Sequence, residues 1–199
     1  MKPILLFFLI FYVSLIYSQT AEEYFNRGYN KAELNDHQGA IEDFTKFIQL
    51  YPNSSDAYYN RGISKANIED YTGSIADFSK VIELNPKYGD AYYNRGLSKD
   101  NLEDYRGAMS DYSKCIELNP DFKAYSDRGN CKVRFKDYKG AIEDYIKAIK
   151  INPNYSLAFR GRGLAKLKLN QKNSACLDFS KAGELGDGDA YNLIKEFCN

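Results

Sequence analysis

The sequence predicts an all-α chain of five helical hairpins closed by a short C-terminal capping helix. Two observations carry this expectation. Glycines at 28, 62, 96, 129 and 163 recur with spacings of 34, 34, 33 and 34 residues, and a fixed period of that size marks stacked two-helix units. Within each period, apolar residues three and four apart form two blocks, the pattern of paired amphipathic helices.

The first helix of each unit is clearest in Tyr58-Tyr59-Asn60-Arg61-Gly62 and Tyr92-Tyr93-Asn94-Arg95-Gly96. Looser copies run from Tyr24 to Gly28, Tyr125 to Gly129 and Phe159 to Gly163. The second helix is seen in Gly39-Ala40-Ile41-Glu42-Asp43-Phe44, with versions at Gly73, Gly107 and Gly140. It stops at Pro52, Pro86, Pro120 or Pro153, because proline cannot continue a helix. In this register the units span residues 21–54, 55–88, 89–121, 122–155 and 156–187. The fifth unit lacks the closing proline, and Asp189-Ala190-Tyr191 echoes Asp90-Ala91-Tyr92. Residues 188–199 therefore read as a first helix without a partner, covering the apolar face of the last hairpin as terminal repeats must.

Composition excludes several classes. With 44% hydrophobic and 15% aromatic residues the 199-residue chain has ample material for a core, so intrinsic disorder is set aside. Lysine and arginine balance aspartate and glutamate at 27 each, and a neutral chain without a basic tail lacks the electrostatic footprint of a nucleic-acid binder. At the start, Lys2 precedes an apolar run from Ile4 to Ile16 that ends at Tyr17-Ser18. This is the pattern of a secretory signal peptide over residues 1–18, cleaved after Ser18. Its apolar run is shorter than the about 20 residues of a membrane span, which predicts a secreted or periplasmic protein with no stable span once the signal is removed.

The repeat resembles the tetratricopeptide repeat family over residues 21–187. The matching positions are the aromatic at the fourth place (Tyr24, Tyr58, Tyr92, Tyr125, Phe159), the Gly at the eighth, the small residue at the twentieth (Ala40, Ser74, Ala108, Ala141, Ala175) and the aromatic at the twenty-fourth (Phe44, Phe78, Tyr112, Tyr145, Phe179). The resemblance implies a right-handed α-solenoid whose groove is lined by first helices, serving as a non-catalytic protein–protein interaction scaffold. Glycine facing the small residue would let the two helices approach, with the aromatics filling space on either side.

Three positions depart from the family. The seventh place is always Arg (Arg27, Arg61, Arg95, Arg128, Arg162) and the twenty-third always Asp (Asp43, Asp77, Asp111, Asp144, Asp178). Each Arg is expected to pair with the Asp of its own unit. As exposed pairs they would contribute about 0–1 kcal/mol each, setting helix register more than stability. The eleventh place is Lys (Lys31, Lys65, Lys99, Lys132, Lys166), read as a solvated ammonium on an apolar stem.

Four cysteines in an exported chain point to disulfides, with three possible connectivities. Cys176 with Cys198 would pin the capping helix, contributing about 3 kcal/mol through loop closure. Cys115 with Cys131 would join two helices that stack in this architecture. The inventory for catalysis is poor. His37 is the only histidine and occupies a turn place held elsewhere by Tyr71, Tyr105 and Tyr138, so nucleophilic chemistry has no convincing base. Zinc spacings, calcium loops and phosphate loops are absent, and no cofactor or metal is expected. The acidic groups Asp100, Glu103 and Asp104, and Asp187 and Asp189, read as helix ends and solvated faces.

A ligand would meet the open face of the first helices. Helical geometry places there Glu22, Phe25, Tyr29 and Glu33, then Asp56, Tyr59, Ile63 and Asn67, then Asp90, Tyr93, Leu97, Asp100 and Asn101. The later units contribute Lys123, Ser126, Asn130 and Arg134, then Arg160, Leu164 and Lys168. The first three units are acidic and aromatic and the last two basic, which suits an extended peptide of opposite polarity. The family's clamp for chaperone C-termini is incomplete: Asn94 and Lys123 match, whereas Tyr59, Ile63 and Asp127 occupy its other places. The competing expectation is a structural or assembly protein acting by self-association.

Overall fold

Polar turns and proline stops divide the chain into short helices. The structure, a computed structural model, describes residues 21–198; the segment read as a signal peptide lies outside them. The elements are α1 (residues 21–33), α2 (His37–Leu50), α3 (Ser55–Asn67), α4 (Tyr71–Leu84), α5 (Gly89–Asn101), α6 (Tyr105–Leu118), α7 (Phe122–Arg134), α8 (Tyr138–Ile151), α9 (Ser156–Lys168), α10 (Lys172–Glu184) and α11 (Gly188–Phe197). No strand occurs among the described residues. The chain forms two compact units, one ending at Ala91 and the other beginning at Tyr92. The first holds α1 to α4 and the opening turn of α5; the second holds the rest.

Each tight turn inside a hairpin has the same cause. A residue in left-handed conformation reverses the chain at Asn35, Glu69, Glu103, Lys136 and Asn170, with φ between 59° and 63°. In the first four hairpins an aspartate follows and caps the second helix. Asp36, Asp70, Asp104 and Asp137 accept from the backbone N–H of Gly39, Gly73, Gly107 and Gly140 at 2.9–3.0 Å, satisfying one of the orphan donors at a helix start. Asp104 is thus a cap rather than a ligand. In the fifth hairpin Gln171 takes the position and makes no side-chain cap.

The core of each hairpin is an aromatic ring laid over a glycine. Phe44, Phe78, Tyr112, Tyr145 and Phe179 are buried. A Cβ on the facing glycine would lie 3.1 Å from the Phe44 ring, 3.0 Å from Phe78, 2.7 Å from Tyr112, 3.0 Å from Tyr145 and 2.5 Å from Phe179. The glycine therefore makes room for the aromatic at the twenty-fourth place, correcting the expectation that it faces the small residue at the twentieth. Those small residues are themselves fully buried.

Each Arg does pair with the Asp of its own hairpin, and in a bidentate manner. Arg Nε lies 2.7–3.0 Å from one carboxylate oxygen in Arg27–Asp43, Arg61–Asp77, Arg95–Asp111, Arg128–Asp144 and Arg162–Asp178. Arg Nη2 lies 2.5–2.7 Å from the other. Two expectations change. The carboxylates are buried, at 1–4% exposure, so these are not surface pairs. Nor are the lysines free in solvent: Lys31, Lys65, Lys99, Lys132 and Lys166 each place Nζ 2.7–2.9 Å from the same Asp. A buried carboxylate needs more than one charged donor to offset its lost hydration, and the lysine one turn after the arginine supplies it. Each guanidinium also lies over the aromatic at the fourth place, 5.1–5.6 Å from the ring centre, a cation–π geometry. Hydrogen bonding from Arg27, joined by Lys31, holds the Asp43 carboxyl down to about 2 despite its burial.

Two of these arginines also reach the preceding hairpin. Arg61 Nη1 donates to Thr45 Oγ1 at 3.0 Å in the first unit, and Arg128 Nη1 to Ser113 Oγ at 2.9 Å in the second. At the equivalent place before Arg162 stands Ile146, which has no hydroxyl to offer.

Cys176 and Cys198 form a disulfide, with Cα atoms 5.8 Å apart, tying α10 to the residue that ends α11. The pairing expected between Cys115 and Cys131 is not formed. Cys131 Sγ instead lies 3.8 Å from Asp100 Oδ1 and packs with Ala108 and Tyr112.

Candidate functional site

In the second unit, α7 and α9 pack directly on one another as well as on α8, and their outer turns enclose two adjoining hollows. One, of about 480 Å³, is lined by Ser126, Asp127, Asn130, Tyr155, Leu157, Arg160, Gly161, Leu164 and residues of α11. The other, of about 300 Å³, is lined by Asp100, Asn130, Val133, Arg134, Tyr145, Gly161 and Leu164. Asn130, Gly161 and Leu164 belong to both. Gly161 is required there, because a Cβ would lie 2.7 Å from the Tyr145 ring. The first unit has a separate hollow of about 350 Å³, where Ala21, Glu22, Phe25 and Asn26 of α1 meet Phe47, Tyr51, Ser54 and Asp56.

The expected face residues divide sharply by role. Glu22 and Tyr29 are exposed, as are Asp90 and Lys123; the Lys123 ammonium lies 5.9 Å from the Phe122 ring centre. Tyr59 is not a free aromatic, since its ring packs 5.7 Å from Phe78 and 5.0 Å from Tyr88. Asn94 is half-buried on α5. Asn130 accepts from Tyr145 Oη at 2.7 Å while still lining both hollows. Arg134 is exposed, its guanidinium 5.5 Å from the Tyr105 ring centre.

Arg160 and Tyr93 are already engaged. Arg160 pairs with Asp187 at 3.2 Å and with Asp189, so its charge fastens α11 and adds little to a basic end of the face. Tyr93 Oη donates to Asp127 Oδ2 at 2.9 Å, and its ring lies 5.8 Å from that of Tyr112.

Asp127 departs from the clamp pattern, and Asp100, an open-face acid expected to be solvated, is instead half-buried on α5. Burial raises the Asp127 carboxyl to about 6, the Tyr93 hydrogen bond opposing the shift and the negative charge of Asp100 adding to it. Burial also raises Asp100 and, with Asp100 and Asp127 nearby, lifts the Cys131 thiol to about 12. Tyr112 Oη is buried without a hydrogen-bond partner among the described residues. The sequence signal was the break in pattern: the sixth place is Asn in the first three units and Asp only at Asp127.

Sequence profiles described as tetratricopeptide repeat match residues 24–54, 55–88, 89–122 and 122–155. The chain belongs to the tetratricopeptide repeat family. Its hairpins align with those of the MamA protein at 26% identity and a TM-score of 0.79, covering 87% of this chain and 96% of that one. The 41-end form of MamA from Desulfovibrio magneticus RS-1 aligns at 23% identity and a TM-score of 0.79, covering 83% and 94%. YrrB, a TPR protein with an unusual peptide-binding site, aligns at 21% identity and a TM-score of 0.76, covering 90% and 97%. No curated protein matches the sequence. As a tetratricopeptide repeat chain, the molecule is a protein-interaction scaffold. Among the described residues, no helix is long and apolar enough to cross a membrane.

Proposed function

We propose that the protein is exported and works without catalysis, binding an extended peptide or protein segment on the first-helix face of its second unit. The observation that carries this is the pair of adjoining hollows sharing Asn130, Gly161 and Leu164. Together they offer a continuous strip with apolar contact at Val133, Leu157 and Leu164 and polar groups at Asp100, Ser126, Asn130 and Arg134. Such a strip suits a chain segment better than a compact metabolite, because affinity accrues from several weak contacts along an extended backbone. YrrB is a precedent for a peptide-binding site on this fold. Export is supported by the pattern of residues 1–18 and by the Cys176–Cys198 disulfide, a bond that persists in oxidising compartments.

A photo-crosslinking residue in place of Leu164 tests the face in the native compartment. Crosslinks to a partner at position 164, absent from a control at the exposed Leu177, are the expected result. Equal labelling at both positions would overturn the reading. Export is tested by the N-terminus of the purified native protein, which should be Gln19.

A further inference from the structure

The last residue of a hairpin serves the following helix in one of two ways. Ser54 and Asp121 cap it. Ser54 Oγ accepts from the Ala57 N–H at 3.3 Å, and Asp121 Oδ1 from the N–H groups of Lys123 and Ala124 at 2.8 and 3.0 Å, satisfying orphan donors at the helix start. Tyr88 and Tyr155 hold the same place in the second and fourth hairpins, and there a ring covers an aromatic of the first helix. The Tyr88 ring packs 5.0 Å from that of Tyr59 and the Tyr155 ring 4.8 Å from that of Phe122, separations at which aromatic pairs attract.

The first hairpin has the aromatic without the cover. Phe25 stands where the second hairpin has Tyr59, and Ser54, engaged as the cap of α3, stands where it has Tyr88. A hollow of about 350 Å³ lies here, lined by Phe25, Phe47, Tyr51 and Ser54 together with the carboxylate residues Glu22 and Asp56. Its aromatic wall is already assembled: the Phe25 and Phe47 rings are 5.1 Å apart, and those of Phe47 and Tyr51 are stacked at 5.3 Å. An apolar cavity of about 150 Å³ takes a benzene ring, so this one has room for a ring and its stem. Glu22 and Asp56 are exposed, and neither forms an ion pair among the described residues, whereas Arg27 and Lys31 are committed to Asp43 and Arg61 and Lys65 to Asp77.

We infer that this hollow is a recognition subsite for an aromatic side chain, Phe or Tyr, carried by a partner segment with a Lys or Arg next to it. The entering ring takes the position that Tyr88 holds in the second hairpin and packs on Phe25, while its basic neighbour is drawn to Glu22 and Asp56 by complementary charge. The subsite belongs to the first unit and stands independently of the docking face proposed for the second. Aromatic packing should favour such a segment about three- to tenfold over one with an aliphatic residue at the same place.

The test is an NMR titration of the purified protein with N-acetyl-lysyl-phenylalaninamide, N-acetyl-lysyl-leucinamide and N-acetyl-glutamyl-phenylalaninamide. The lysyl-phenylalanine probe should bind tightest and shift the amide signals of Phe25, Asn26 and Phe47. Ser54→Tyr, which supplies the ring found at Tyr88, should fill the hollow and abolish binding; Ser54→Ala, which loses the cap but leaves the hollow open, should bind as the parent does. The double variant Glu22→Lys and Asp56→Lys changes exposed residues only and should reverse the preference between the lysyl and glutamyl probes, a readout that holds even if Ser54→Tyr fails to fold. Equal affinity for the phenylalanine and leucine probes, unchanged binding in a folded Ser54→Tyr, an unaltered charge preference in the double variant, or shifts confined to residues outside the hollow would each overturn the subsite, and none of these results bears on crosslinking at Leu164.

Discussion

Replacing Asp144 by asparagine should be among the most damaging single changes in the second unit. The carboxylate is 1% exposed and accepts from Arg128 at 2.9 and 2.7 Å and from Lys132 at 2.7 Å. Asparagine keeps the shape but leaves two cations facing a neutral amide. Breaking a fully buried pair costs about 3–5 kcal/mol. The side chains of Arg128 and Lys132 keep 17% and 22% exposure, so water recovers part of their hydration, and the expected loss is about 2–4 kcal/mol. The assay is urea unfolding followed by circular dichroism and tyrosine fluorescence, with free energies compared only where the two transitions coincide. Asp43→Asn is the internal control. Its partner Arg27 is 52% exposed, so its loss should be clearly smaller. A triple variant, Arg128→Met, Lys132→Met and Asp144→Leu, should recover much of the stability lost by Asp144→Asn, since packed apolar groups replace buried ions at little net cost. A loss below about 0.5 kcal/mol at Asp144, the range of exposed pairs, or equal losses at Asp43 and Asp144, would refute the claim that burial makes these aspartates critical.

Three further outcomes follow from the structure. Gly163→Ala places a methyl 2.5 Å from the Phe179 ring and should cost about 1–3 kcal/mol as overpacking, read as a lower denaturation midpoint. Reducing Cys176–Cys198, whose cysteines are 22 residues apart, should remove up to about 3 kcal/mol of loop-closure stabilisation; hydrogen exchange should show α11 losing protection first. For Asp127 the folded carboxyl, at about 6, holds its proton more tightly than an unfolded one. Stability should therefore fall as pH rises from about 4 to 6 and level off above. The groups that interact with it electrostatically are Tyr93, Asp100, Asp121, Lys123, Tyr112, Cys131, Tyr145 and Tyr155. Asp127→Asn removes that slope, and the difference between variant and parent across the pH series isolates it from the opposite contributions of Asp43 and similar groups.

The hairpins were legible because spacing, glycine, aromatic and proline each repeat, and every copy repeats the same physical instruction. The Arg–Asp pairs were legible for the same reason. Their burial was not, because exposure depends on the hairpin stacked next in line, which no local pattern reports. A clue lay in the twenty-third place itself, beside the buried aromatic at the twenty-fourth. The lysine at the eleventh place is ambiguous in sequence, because an apolar stem and a charged head suit solvent and a buried carboxylate equally well. On the candidate face, helical geometry grouped Asp100, Ser126, Asn130, Arg134, Arg160 and Leu164, which line the two hollows of the second unit. It could not separate residues held by neighbours, such as Tyr59 on Phe78 or Arg160 on Asp187, from exposed ones such as Glu22 and Tyr29. Cys115 and Cys131 show the same limit: adjacent helices do not fix which way a thiol points.

The Arg–Asp–Lys triad closes within a single hairpin, as in Arg61, Asp77 and Lys65. A copied or deleted hairpin therefore carries its whole charge complement with it, and gene duplication can lengthen or shorten such an array without stranding an ion at the new joint. The bond from Arg128 to Ser113 is different, since it crosses from one copy to the next and must be rebuilt at each splice. Where Ile146 now stands that bond has no acceptor, so a new copy inserted there would break no bond of this kind.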